Sequence, residues 1–174
     1  MNALCLHGYR QDRDKFRSRM KSLLKDYRII CPQGPHPVEK DMTGWWSLQS
    51  KEMFVQPHSY VGVEKALESI PEGNYDVVVG FSQGAVAAAI AIDQKRVTTT
   101  KLVLISPSDI VDTVWTPSQH DVTTLILIGA EDTLCPPTES LKMQQYFPNS
   151  VVHQYSCGHV IPNCKKELKA FLSK

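Results

Sequence analysis

A serine set between two glycines is the first feature of the chain that could carry chemistry. Positions 80–84 have the pattern GxSxG with Ser82 at the centre, and they lie between a run of valines and an alanine-rich segment. The valines predict a buried strand and the alanines a helix, which is the setting in which GxSxG exposes a nucleophilic hydroxyl. We expect Ser82 to adopt a positive φ angle in this sharp turn. A plain strand-to-helix turn that uses glycine for tightness is the alternative.

A serine hydroxyl is a poor nucleophile unless a base accepts its proton, and His159 is the candidate base. It follows the last predicted strand, and we expect Gly158 before it to free the backbone to turn back over the strand ends. The other histidines either precede Ser82 or lie within or before a strand. The order serine, acid, histidine along the chain is the one that a GxSxG serine uses.

The acid that orients the base should follow a strand between the serine and the histidine. The segment 124–129 predicts such a strand, and Glu131 and Asp132 both follow it directly. We favour Asp132 because its shorter side chain is held more rigidly, and Asp109 is the fallback at the end of the preceding strand. A carboxylate in this place fixes the imidazole tautomer and stabilises the imidazolium.

Two backbone N–H groups should stabilise the oxyanion that forms when the serine attacks. One is the N–H of Gln83, directly after the nucleophile. The other is the N–H of Tyr9, in the loop that follows the first predicted strand. We expect His7 to shape this loop by hydrogen bonding and not to act as a base.

Apolar residues beside the nucleophile, beside the base and in the two long loops are candidates for a substrate pocket. They suggest an acyl or other hydrophobic ester group as the substrate. The alternative is that the tryptophans bury the loop that carries them. The candidate pocket residues are Phe81, Met42, Trp45, Trp46, Trp115, Val160 and Ile161.

Short apolar runs separated by helical segments organise the chain. Because the runs are continuous and not alternating, they predict strands that are covered on both faces. We predict an α/β fold: a compact, mostly parallel sheet of about six strands with helices on both faces, the α/β-hydrolase fold. The predicted strands are 3–7, 28–31, 77–80, 102–106, 124–129 and 151–155, and the later helices are 83–93, 138–147 and 163–173.

The 174 residues fit one domain, 1–174, with an excursion loop near 32–57 and a short cap-like loop near 107–121. A net charge of +1 does not favour binding to nucleic acid. We expect neither a membrane span nor a signal segment. The five cysteines lack paired spacing, which predicts no metal site and no disulfide framework. We therefore expect a cytoplasmic protein without a cofactor.

Several of these stretches together resemble the FSH-type serine hydrolases. The matching segments are 5–11, 44–46, 75–85, 129–136 and 158–159, and they extend from one end of the chain to the other. The resemblance implies an α/β-hydrolase fold and carboxylesterase or thioesterase activity on a small acyl ester or thioester. It also places the catalytic serine, acid and histidine at Ser82, Asp132 and His159.

Three functions therefore compete at this point. The first is a serine hydrolase that cleaves carboxylic esters or thioesters through an acyl-enzyme on Ser82. The second is a non-catalytic ligand-binding protein that keeps the same fold, and the third is a serine peptidase. The complete set of serine, acid and histidine in the right order favours the first.

Overall fold

A six-stranded parallel sheet forms the centre of the molecule. The computed structural model describes residues 1–50, 56–112 and 117–173. The strands are β1 (Asn2–Leu6), β2 (Arg28–Ile30), β3 (His36–Glu39), β4 (Met42–Gly44), β5 (Gly73–Tyr75), β6 (Val77–Phe81), β7 (Val97–Thr99), β8 (Lys101–Ile105), β9 (Thr123–Gly129) and β10 (Ser150–Tyr155). The central sheet has the order β10-β9-β8-β6-β1-β2, and every neighbouring pair is parallel.

All six apolar runs predicted as strands contribute to this sheet, which confirms the predicted fold class. Strand β6 is buried along its whole length, and β8 and β9 are buried except at their first residues. Valine, leucine and isoleucine fill these strands because helices cover both faces of the sheet. Strand β10 lies at the edge and is only partly buried, as its mixed composition allows.

Five α-helices and one 3₁₀ helix lie among the described residues. They are α1 (Arg13–Leu23), α2 (Val63–Ser69), α3 (Gln83–Asp93), α4 (Pro137–Leu141), a 3₁₀ helix (Lys142–Gln145) and α5 (Lys165–Leu172). The helix predicted over 138–147 is thus two shorter pieces. Helices α1 and α5 bury apolar side chains in one core layer, whereas α2 and α3 pack in the layer on the other face.

The order of the strands places the loops after β1 and β6 side by side. The chain leaves β1 towards β2 on one side, and it returns to β6 on the other side before building outwards to β8, β9 and β10. Leu6 at the end of β1 pairs with Gly80 near the end of β6. Ligands in parallel sheets bind at such a reversal, beyond the carboxyl ends of the strands.

The excursion at 32–57 is partly regular. Strands β3 and β4 form an antiparallel hairpin there, a feature that the sequence analysis did not predict. Strands β5 and β7 form a second small sheet. Within 1–50, 56–112 and 117–173, no helix is long and apolar enough to cross a membrane.

Candidate active site

Ser82 occupies a strained turn between β6 and α3. Its φ of 54° and ψ of −123° lie outside the usual regions for a residue with a side chain, as expected for a nucleophile turn. Gly80 and Gly84 allow this turn because a Cβ at either position would collide with backbone atoms. At Gly84 the carbonyl oxygen of Leu6 would lie only 2.2 Å from that Cβ, so α3 sits directly against the end of β1.

A continuous chain of hydrogen bonds joins Ser82, His159 and Asp132. The Ser82 Oγ lies 2.9 Å from His159 Nε2, and His159 Nδ1 lies 2.7 Å from Asp132 Oδ2. In the neutral tautomer that satisfies both contacts, Nδ1–H donates to the carboxylate and Nε2 accepts from the hydroxyl. The structure therefore brings together the three side chains that the sequence analysis selected from the ends of β6, β9 and β10.

The loop after β9 holds the carboxylate of Asp132 from its other side. Asp132 Oδ1 accepts hydrogen bonds from the N–H groups of Leu134 (3.0 Å) and Cys135 (2.8 Å), and the residue is only 3% exposed. Burial raises the pKa of Asp132, but the hydrogen bonds from His159 and the two N–H groups outweigh it. The pKa therefore lies below its ordinary value, and the carboxylate is charged at neutral pH.

The other carboxylates considered as the acid lie elsewhere. Glu131 is exposed to solvent. Asp109 Oδ1 accepts hydrogen bonds from Gln145 Nε2 and Tyr146 Oη, at 3.2 Å each. It thus fastens the segment after β8 to the 3₁₀ helix.

The segment that carries His159 is held by contacts other than the one expected. Gly158 has no positive φ, and a Cβ there would come no closer than 3.6 Å to the nearest neighbouring atom, so its conformational freedom is not required. Instead, Arg19 of α1 donates from Nη2 to the carbonyls of Ile161 (3.3 Å) and Pro162 (3.0 Å). The Phe81 ring also lies against the imidazole, with centroids 5.1 Å apart.

The loop after β1 lies next to the nucleophile, as the strand order requires. The N–H of Gly8 donates to Gln11 Oε1 at 2.7 Å, so that group is already engaged. His7 is fully buried, and its Nδ1–H donates to the Gly8 carbonyl (2.8 Å) while its Nε2 accepts from the Gly34 N–H (3.0 Å). His7 thus shapes the loop by hydrogen bonding, as the sequence analysis expects.

The expected pocket residues divide into buried and accessible ones. Trp45 is fully buried and Trp46 is 3% exposed and stacks on Tyr60, so the structure places both indoles in the core and not on an open wall. Their indoles fill the layer beside α3, which agrees with the alternative that the tryptophans bury the loop that carries them. Phe81 is buried as well.

The remaining pocket residues are partly accessible. Val160 is 51% exposed directly beside His159, and Met42 and Ile161 are partly buried. These three could contact a bound substrate. Trp115 lies outside the described residues, which end at 112 and resume at 117.

Cys135 lies in the loop that holds Asp132, where its backbone N–H donates to the carboxylate. Its thiol is buried, and the Ser82 side chain and the Asp132 charge both act on its pKa. Burial and the nearby charge of Asp132 raise its pKa far above the ordinary value, so the thiol stays protonated.

The arrangement is suited to acyl transfer. It combines a hydroxyl nucleophile in a strained turn, an imidazole that can take its proton, and a buried carboxylate behind the imidazole. Helix α3 begins directly after Ser82, so its first N–H groups and its dipole favour negative charge at this point. In the described parts of the chain, no cluster of His, Cys, Asp and Glu could hold a metal ion.

Solved structures with the same architecture identify the fold. A carboxylesterase of Bacillus cereus superimposes with a TM-score of 0.73 at 17% identity, over 97% of this chain and 86% of its own. SOBER1 of Arabidopsis thaliana superimposes with a TM-score of 0.78 at 16% identity, over 99% and 98%. Together with the parallel sheet and the serine turn after β6, these likenesses identify the fold as that of the α/β hydrolases.

The family is shown by sequence. The family model described as serine hydrolase (FSH1) matches residues 1–171, and the chain belongs to this family. Curated relatives include Esterase OVCA2 of Bos taurus, 28% identical over 99% of this chain and 94% of the relative. Esterase GA18864 of Drosophila pseudoobscura pseudoobscura is 24% identical over 99% of this chain and 70% of the relative.

Proposed function

We propose that this chain hydrolyses carboxylic esters, thioesters included, through an acyl-enzyme on Ser82. The observation that carries the proposal is the continuous hydrogen-bond chain from Ser82 Oγ through both nitrogens of His159 to Asp132, with distances of 2.9 Å and 2.7 Å. Membership of a serine hydrolase family and the esterase names of the relatives support it.

In the first half of the reaction, Ser82 Oγ attacks the carbonyl carbon of the ester. His159 Nε2 takes the serine proton, and the electron pair of the carbonyl moves to its oxygen. The N–H groups of Gln83 and Tyr9 stabilise this oxyanion. When the intermediate collapses, the bond to the leaving alcohol or thiol breaks, and that group receives the proton from His159.

The second half releases the acyl group. His159 Nε2 takes a proton from water, whose oxygen attacks the acyl carbon, and the second tetrahedral intermediate expels Ser82 Oγ, which regains its proton. The product is a carboxylic acid. Asp132 stays ionised throughout and stabilises the imidazolium that forms in each half.

The accessible candidate pocket residues favour a small substrate with an apolar acyl group. Val160 is exposed beside the base, and Met42 and Ile161 are partly accessible. Since Trp45 and Trp46 lie in the core, they do not line the binding surface. We infer that acyl selection rests on the first three residues.

Covalent labelling with a fluorophosphonate tests the nucleophile. We expect the wild type to be labelled at Ser82, as mapped by peptide mass spectrometry, and to hydrolyse p-nitrophenyl esters and a matched thioester. Ser82→Ala should lose labelling, and its kcat should fall on the order of 10⁶-fold. Ser156→Ala, which removes an exposed hydroxyl three residues before His159, is the control and should behave as wild type.

Two results would contradict parts of the proposal. Folded wild type that is neither labelled nor active on any ester or thioester would overturn the proposed reaction. A kcat/KM that does not change across acyl chains from acetyl to palmitoyl would show that Val160, Met42 and Ile161 do not select the acyl group.

A further inference from the structure

The side-chain amide of Gln83 is a buried polar group that is hydrogen-bonded to the excursion loop. Gln83 is 2% exposed although its amide is polar. Its Oε1 accepts the backbone N–H of Trp45 at 2.8 Å, and its Nε2 donates to the backbone carbonyl of Trp46 at 3.0 Å. The residue after the nucleophile is therefore tied at both ends of its amide to the excursion loop.

The same loop is tied to the end of β1. The indole Nε1–H of Trp45 donates to the carbonyl of His7 at 2.7 Å, and the His7 ring accepts from the N–H of Gly34 in the same excursion. Gly44 lies so close to the Tyr9 ring that a Cβ there would meet it at 2.5 Å. One loop thus braces both the start of α3 and the turn after β1.

This bracing concerns the two N–H groups proposed to hold the oxyanion. They belong to Gln83 and Tyr9, which lie on separate segments that follow β6 and β1. Both must point at one oxygen with hydrogen-bond geometry, and complete loss of one such donor lowers kcat by about 10²–10³-fold. Loss of a contact that fixes the two segments relative to each other should therefore cause part of this decrease in kcat.

We propose that the side-chain amide of Gln83 is a positioning group that aligns the two oxyanion donors through the loop of Trp45 and Trp46. The inference rests on the proposed acyl transfer at Ser82. The backbone N–H of Gln83 contacts the reacting oxygen, whereas its side chain acts through Trp45, Trp46 and the carbonyl of His7.

Replacing the amide by an apolar group of similar length tests this role. In Gln83→Met both hydrogen bonds are lost, and we expect kcat and kcat/KM for p-nitrophenyl acetate to fall together by roughly 10–100-fold. KM should change less than threefold. Gln144→Met is the matched control, because Gln144 is exposed on the 3₁₀ helix and donates to Ser150 Oγ. It should keep wild-type kinetics.

The pH dependence of kcat in Gln83→Glu is a second measurement, and a loss of stability alone would not change it. A protonated carboxyl can donate to the Trp46 carbonyl and accept from the Trp45 N–H, so it replaces the amide. An ionised carboxylate repels the Trp46 carbonyl, and burial raises the pKa of such a carboxyl into the working range. We therefore expect kcat of Gln83→Glu to approach wild type at low pH and to fall as the pH rises, whereas wild type shows no such fall.

Coupling to Trp45 tests the pathway itself. Trp45→Phe removes the indole N–H bond to the His7 carbonyl and keeps the backbone N–H that Gln83 accepts. If both residues act through one loop, the kcat loss of the double variant Gln83→Met with Trp45→Phe is smaller than the product of the single losses. Losses that multiply would overturn the pathway.

The outcomes separate this inference from the reaction on which it rests. An inactive and unlabelled wild type overturns both. An active wild type in which Gln83→Met keeps kcat within twofold overturns the inference alone, as does a Gln83→Glu pH profile parallel to wild type. If Gln83→Met does not fold, the pH profile of Gln83→Glu decides between the same two results.

Discussion

At the scale of single residues, the surroundings of Asp132 fix both the charge and the orientation of its carboxylate. One carboxylate oxygen accepts from His159, and the other accepts from two backbone N–H groups. Both oxygens are thus fixed, and the hydrogen bonds keep the pKa below its ordinary value in spite of burial. The carboxylate can hold only the imidazole tautomer whose Nε2 is free to accept a proton.

Asp132→Asn tests this tautomer control. An amide nitrogen in place of Oδ2 donates to Nδ1, so the proton moves to Nε2, which can no longer accept from Ser82. We expect kcat for p-nitrophenyl acetate to fall about 10⁴-fold. Circular dichroism should remain that of wild type. Glu131→Gln, at the exposed neighbouring position, is the control and should stay within twofold of wild type. Equal rates in the two variants would show that Asp132 is not the orienting acid.

Chain order was enough to select the serine and the histidine from the sequence, but it could not separate the carboxylates. Glu131 and Asp132 are adjacent, and only the turn after β9 decides which one faces His159. Asp109 is occupied by Gln145 and Tyr146, which lie more than thirty residues along the chain, and no local pattern indicates that contact.

At the scale of elements, the site depends on how closely α3 approaches β1. A Cβ at Gly84 would lie 2.2 Å from the Leu6 carbonyl oxygen and 2.3 Å from that of His7. Both are backbone atoms at the end of a central strand, so neither can move without disturbing the sheet. The glycine therefore fixes the distance between the nucleophile turn and the loop after β1.

Gly84→Ala tests this close packing. The added methyl must push α3 away from β1, and we expect the free energy of unfolding to fall by about 1–3 kcal/mol. For a chain of this length Tm should then fall by roughly 3–10 °C in a thermal scan. Gly158→Ala is the control, because the nearest neighbouring atom to its Cβ is at 3.6 Å and its φ is not positive. Its Tm should not fall, and equal losses in both variants would contradict the packing argument.

The central sheet could be predicted because each of its strands contains a local apolar run. The hairpin of β3 and β4 could not, since its strands are short and rich in polar residues and proline. Trp45 and Trp46 directly follow β4 of this hairpin, and their indoles pack in the core layer beside α3. The apolar character of these loop residues therefore could not show whether they face a substrate pocket or the core.

At the scale of the whole molecule, His7 links the core to the loops around the site. It is fully buried at the end of a central strand, with its ring 5.2 Å from the Trp45 ring. Burial lowers the pKa of His7, and Arg13 lowers it further, whereas the hydrogen bond to Gly8 and the charge of Asp12 raise it. The net shift is downward, so the folded protein holds this imidazole neutral.

This shift predicts how the stability of the protein depends on pH. Between the lowered pKa and the ordinary imidazole value of about 6.5, the unfolded chain binds more protons at this position than the folded chain. The contribution of His7 to the free energy of unfolding is therefore fully present above about pH 6.5. It declines as the pH falls below that value, by at most about 1.4 kcal/mol per pH unit.

Urea unfolding of His7→Gln between pH 5 and 7 measures this contribution. The variant loses the imidazole, so its free energy of unfolding should fall less steeply below pH 6.5 than that of wild type, even though it is less stable at pH 7. His153→Gln removes an imidazole from an exposed position on the edge strand β10 and should keep the wild-type slope. If His7→Gln and wild type have the same slope, protonation of His7 is not what destabilises the fold in acid, and the buried end of β1 tolerates charge.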